Sequence, residues 1–130
     1  MAGLYLDTSS LGRVLLVEPD ATQIRDVLGR YDAWWSSAIL IIELRCLARR
    51  EDLEAAADQI LASVRFTPIT DATIERTSRL EPVDVRTLDA IHLDAVIELH
   101  RTATIASVLT HDEQLKRGCG HHGIPLDVPS

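Results

Sequence analysis

At 130 residues, with 46% hydrophobic and 25% charged side chains, the chain has enough apolar material for one sizeable core and too much for a disordered segment. A formal net charge of −7 excludes a surface built simply to coat nucleic acid, though not an acidic site that handles nucleic acid through a bound cation. The longest apolar run, 38–42, has five residues, far from the ~20 of a membrane span, and two cysteines, Cys46 and Cys119, make no disulfide framework.

The chain opens on MAGLYLD, which reaches an acid with no basic n-region, so no signal peptide is expected and the cytoplasm is the default compartment. Residues 4–6 predict a short buried strand, and 9–17 a helix with Leu11, Val14 and Leu15 on one face. Pro19 and Asp20 break it; Asp20 with Gln23 is a capping-box-like start for a second helix carrying Ile24, Val27 and Leu28 and ending near Gly29. Residues 31–36 predict the second strand, where alternation sends at least one of Trp34 and Trp35 into the core; the alternative for either is stacking on bases. Ser36 or Ser37 caps a helix to about Arg50, with Ile39, Ile42 and Cys46 on one row and Leu40, Leu44 and Leu47 on the next. Asp52 opens another helix, with Leu53, Ala56, Ala57, Ile60, Leu61 and Val64 at core spacing. Residues 65–69 predict a third strand that Pro68 assigns to an edge, and Asp71 caps a helix to Leu80. After Pro82, Thr87 starts the helix LDAIHLDAVIELH; 106–109 predict a fourth strand, 112–117 a helix closed by Gly118, and 124–128 a last short strand.

Strands separated by one or two helices indicate an α/β class with a mainly parallel central sheet of about four or five strands, in one domain over 1–130. Ligands of such sheets bind beyond the carboxyl ends of strands, where Asp7 and Asp112 fall. Glu43 sits in or beside the apolar stripe of its helix, and Asp89 lies in the first turn of the long helix. Taken singly, Asp7 and Asp112 have helix capping as a sufficient role and Asp89 the helix macrodipole, while Glu43 is costly on an apolar face. Converging carboxylates repel unless a cation neutralises them, and oxygen-only ligands favour Mg²⁺ or Mn²⁺.

LDTSSL, SSAILIIELRCLARR, RTLDAIHLDAVIEL and LTHDEQL, in that order, resemble the four acidic motifs of the PIN-domain ribonucleases, and more narrowly the VapC toxins of bacterial toxin–antitoxin pairs. The resemblance runs from about residue 4 to 128 and rests on the four motifs together, none being specific alone. It implies a three-layer PIN-like fold and an endoribonuclease in which Asp7, Glu43, Asp89 and Asp112 hold one or two Mg²⁺ or Mn²⁺ ions. A metal-activated water would hydrolyse the RNA phosphodiester, leaving 5′-phosphate and 3′-hydroxyl ends. Thr8, Ser9 and Thr110 match hydroxyl positions that support the acids or ions; for Ser9 and Ser10 capping is at least as good a role. The resemblance further implies a cognate antitoxin whose C-terminal segment wraps the toxin, a homodimer, transfer or ribosomal RNA as substrate, and promoter DNA reached only through the antitoxin; no membrane is involved.

Two other functions compete: a catalytically silent PIN-like module that binds RNA or protein, and a metal-independent ribonuclease using His92 and His111, which would leave cyclic phosphate ends. All four acids are present, against the first. His92 is expected to be a packed histidine, and His111, beside Asp112, a substrate contact. Asp94, about 140° round the helix from Asp89, is expected in solvent or at an interface. Cys119, His121 and His122 lack the spacing of a closed zinc site, and a helix cap at Gly118 followed by a solvated turn is expected instead. Arg45, Arg49 and Arg50 are either a solvated face or a grip for phosphate or antitoxin.

Overall fold

The computed structural model describes residues 2–127. Over these the chain runs β1 (Gly3–Leu6), α1 (Thr8–Leu15), α2 (Ala21–Leu28), β2 (Trp34–Ser37), α3 (Ile39–Glu51), α4 (Glu54–Leu61), β3 (Val64–Thr67), α5 (Asp71–Thr77), α6 (Thr87–Arg101), β4 (Ile105–Leu109) and α7 (Glu113–His121). The strands form one sheet in the order β3-β2-β1-β4, and every neighbouring pair is parallel.

A parallel sheet is covered on both faces, so its central strand is apolar throughout. Leu4, Tyr5 and Leu6 of β1 are all fully buried. Alternation divides them: Leu4 and Leu6 pack with α1 to α4 in one core, and Tyr5 packs with α6 and α7 in the other. This is the expected three-layer α/β architecture. The tryptophans obey the same rule, Trp34 packing on the first core and Trp35 on the second, and Trp34 donates its indole N–H to the Leu28 carbonyl at 2.9 Å.

Topology positions the site. The chain passes from β1 to β2 and β3 on one side, then returns to β4 on the other side of β1. The strand order therefore reverses between β1 and β4, and open α/β sheets form ligand crevices beyond the carboxyl ends of strands at such a reversal. Asp7 directly follows β1, and residues 110–112 directly follow β4.

Several boundaries differ from expectation for local reasons. Helix α1 stops at Leu15, and Val17 turns the chain at φ +53°. Asp20 precedes α2 but caps nothing, because both its oxygens are taken by Arg13 Nε at 2.9 Å. Ala38, in helical conformation, takes the N-cap position of α3 rather than a serine. Asp52 closes α3 in the left-handed conformation, at φ +56°, instead of opening α4. Of the two apolar rows on α3 only Leu40, Leu44 and Leu47 reach the core; Ile42 and Cys46 are exposed. Thr70, not Asp71, caps α5 in a reciprocal box with Thr73, and α5 ends at Thr77 rather than Leu80.

Gly118 lies inside α7, not at its end, since a Cβ there would meet Leu93 Cδ2 at 2.6 Å. It is small because α7 presses on α6. The expected last strand is reduced to one parallel bridge, Leu126 to Val108, held also by Tyr31 Oη donating to Asp127 at 2.6 Å; Val128 lies outside the described residues. Strand β3 is at the sheet edge, as Pro68 predicts. Among the described residues no helix is long and apolar enough to cross a membrane.

Candidate active site

Asp7 leaves β1 and caps α1 at the reversal point, 3% exposed. Its Oδ1 accepts from Ser9 Oγ at 2.7 Å and, more weakly, from the Ser10 amide at 3.4 Å; its Oδ2 accepts from Thr110 Oγ1 at 2.7 Å. Burial raises the Asp7 pKa, and nearby His92 with these hydroxyls only partly offsets it. The same hydroxyls stitch β4 to α1: Ser9 Oγ accepts the His111 amide at 2.8 Å, and Thr110 Oγ1 accepts the Asp112 amide at 3.0 Å. The LDTSSL serines are thus supports of the first acid as well as helix-start residues.

Glu43, on α3, lies across from this corner with its side chain 22% exposed. Its Oε1 accepts from Thr8 Oγ1 at 2.9 Å and pairs with His92 Nε2 at 2.8 Å. Burial alone would push this carboxyl up, but the His92 contact and the Thr8 hydroxyl outweigh it and the pKa is lowered. His92 is indeed packed, 2% exposed, and its Nδ1 meets Tyr5 Oη at 2.6 Å.

Asp89, in the first turn of α6, is half-buried. Desolvation and then the charges of Asp112 and Asp7 push its pKa up to about 6, against smaller relief from His92 and Arg86. Asp112 caps α7, its Oδ1 accepting the Leu115 amide at 3.0 Å, and its charge is also felt at Glu43. The four carboxylates therefore share one electrostatic field, drawn from the ends of β1 and β4, from α3 and from the start of α6. They do not close into a cage: among the described residues no three His, Cys, Asp or Glu side chains are grouped to hold a metal ion. Each keeps oxygen lone pairs beyond the bonds it accepts, and the uncompensated charge around Asp89 is the kind a hard divalent cation relieves. The donor set fits such an ion.

His111 turns away from the acids. Its Nδ1 meets Ser10 Oγ at 2.9 Å and its Nε2 faces Asp20 at 3.4 Å, and desolvation lowers its pKa. Asp94 is not solvated: it is 3% exposed and takes a two-pronged bond from Arg76, at 2.9 and 3.1 Å. Cys119 is fully buried with its thiol pushed up to about 12 by desolvation, whereas His121 and His122 are exposed, so the tail does not gather a zinc site. Arg45 reaches Asp58 at 3.6 Å on an exposed face. The sequence reading missed Tyr5 as part of this site; its one signal is a hydroxyl inside an otherwise aliphatic buried strand.

The PIN-domain family model matches residues 4–120, and the chain belongs to that family. Over nearly its full length it is similar to three proteins of Mycobacterium tuberculosis. Ribonuclease VapC47 is 32% identical over 97% of this chain and 96% of its own. Ribonuclease VapC35 is 30% identical over the same shares, and Ribonuclease VapC46 is 26% identical over the whole of both chains.

Proposed function

We propose that this protein is a metal-dependent endoribonuclease, the toxin of a toxin–antitoxin pair, acting as one domain over 1–130. The observation that carries the reading is the charge-strained carboxylate set at the strand reversal, with the Asp89 pKa pushed up to about 6, in a PIN-family chain similar end to end to VapC ribonucleases.

Asp7, Glu43, Asp89 and Asp112 are the residues that hold one or two Mg²⁺ or Mn²⁺ ions. A bound ion supplies an acidified water and stabilises charge on the scissile phosphate. Asp7 is oriented for this by Ser9 and Thr110, and Glu43 by Thr8 and His92. Thr110 also holds the Asp112 amide, so one hydroxyl ties the first acid to the backbone of the fourth. The histidine-based alternative is disfavoured: His92 spends its two nitrogens on Tyr5 and Glu43, and His111 faces Ser10 and Asp20. The partners in this reading are RNA and a cognate antitoxin, and the toxin pairs with a second copy of itself.

The test is cleavage of total RNA by the purified protein with Mg²⁺, with Mn²⁺ and with EDTA, mapping the new ends. Cleavage that needs the ion and leaves 5′-phosphate and 3′-hydroxyl ends is expected. Cleavage surviving EDTA, or cyclic phosphate ends, would overturn the metal mechanism.

A further inference from the structure

A tyrosine in a buried central strand must satisfy its hydroxyl inside the protein, since a stranded polar group there costs more than the hydrogen bond it lacks. Tyr5 is 0% exposed. Its oxygen accepts the Ser37 amide at 3.1 Å, which leaves the phenol proton to be placed. The short contact is His92 Nδ1, at 2.6 Å; Ser36, also beside the phenol, gives its own hydroxyl proton to the Leu6 carbonyl at 2.6 Å. Were Nδ1 itself protonated, the phenol proton would lose this short acceptor. The other end of the ring agrees, because Nε2 faces Glu43 Oε1 at 2.8 Å, and a lone pair there would face a carboxylate lone pair. Both ends select the ring with Nδ1 bare and Nε2 carrying the hydrogen.

The consequence falls on Glu43. Oε1 receives two donors, His92 Nε2–H and the Thr8 hydroxyl, while Oε2 accepts no hydrogen bond among the described residues. Two donors on one oxygen fix the plane of the carboxylate and leave the second oxygen presented.

We infer that Tyr5 and His92 form a positioning relay, running Ser37 N–H to Tyr5 Oη–H to His92 to Glu43, that holds Glu43 with Oε1 engaged and Oε2 turned out for a divalent cation. This rests on the proposed reading of Glu43 as a metal ligand. Neither residue touches substrate or the ion; both act through Glu43. The relay links the two layers: Tyr5 packs in the core of α6 and α7, Glu43 is on α3, whose apolar row packs in the other core, and the His92 ring contacts both residues. Outer-shell partners of metal ligands are worth about 10–100-fold in metal affinity or activity.

The experiment compares the full-length protein with Tyr5→Phe, His92→Gln and His92→Asn. Nitrogen-15 spectra of the His92 ring read the tautomer, Mn²⁺ titration calorimetry reads affinity, and RNA cleavage reads kcat. In the wild type, Nδ1 resonates as a bare imine nitrogen and Nε2 as a protonated one. Tyr5→Phe loses this single-tautomer signature and binds Mn²⁺ about tenfold more weakly. His92→Gln, whose amide nitrogen falls near the Nε2 position, recovers most of the affinity, whereas His92→Asn, reaching only toward Nδ1, does not. A role in folding alone predicts that Gln and Asn behave alike, and that result overturns the relay; should Tyr5→Phe not fold, the His92 pair decides.

A protonated Nδ1 in the wild type overturns the relay even if RNA is cut normally. Wild-type protein that binds no Mn²⁺ removes Glu43 as a ligand and the relay's purpose with it, and the ring spectra separate that failure from failure of the relay.

Discussion

Asp7 accepts bonds from two hydroxyls and an amide and still has a raised pKa, because at 3% exposure desolvation outweighs the donors. A carboxyl whose pKa rises on folding stabilises the fold most below its unfolded pKa, and that contribution is lost as pH rises through the folded value. Asp7→Asn is therefore expected to keep or raise the melting temperature at about pH 7, while cleavage falls by more than about 100-fold, beyond what outer-shell losses produce. Calorimetry and a gel assay on the same preparation check this; an active Asp7→Asn protein would remove it from the site. Asp89 has the same sign with a value, about 6. Protons would then compete with the proposed cation, so Mn²⁺ affinity should fall by up to about tenfold per pH unit below about 6, and Asp89→Asn should flatten the slope. A wild-type affinity that is level between about pH 5 and about pH 7 would show that Asp89 does not bind the ion. These acids could be picked out from type and position alone, since each follows a strand or opens a helix. Tyr5 and His92 could not, because their pairing depends on two side chains 87 residues apart meeting across the core.

At the scale of elements, α6 shows what periodicity leaves open. Its angle from Asp89 correctly turns Asp94 away from the site, but that direction leads to α5, not to water. Arg76 on α5 is about half-exposed while Asp94 is buried, so the pair pins the outer helix to the inner one. Removing only the cation strands a buried carboxylate. Arg76→Met is expected to cost about 2 kcal/mol, below the 3–5 typical of deeper pairs because solvent reaches the arginine. Adding Asp94→Leu should recover most of that loss in urea denaturation; a double variant less stable than Arg76→Met would show that the pair contributes net attraction instead. Helix ends were legible where apolar spacing is regular, as for α6. They were misplaced where a neighbour competes for the capping group, as Arg13 does for Asp20, or where the backbone turns left-handed at a non-glycine residue such as Asp52.

The whole molecule carries a net charge of −7, and RNA is also anionic. A protein gripping RNA through many Lys and Arg contacts loses about 10³-fold in affinity between about 50 and about 200 mM salt. The proposed recognition through a bound cation predicts a KM for RNA that changes less than about tenfold over that range; a thousandfold change would require an extended basic surface instead. The amino-acid order by itself determined the class of fold and the edge position of β3, because alternation, helix spacing and proline chemistry are local, and it singled out four candidate acids through their motifs. Only the tertiary structure decided that Asp7 and Asp112 share the β1/β4 reversal, that Asp94 is paired, that Gly118 is a packing residue and that Glu43 Oε2 accepts no hydrogen bond among the described residues. Each depends on which surfaces meet, and burial and hydrogen-bond partners are properties of the packed chain rather than of any segment within it.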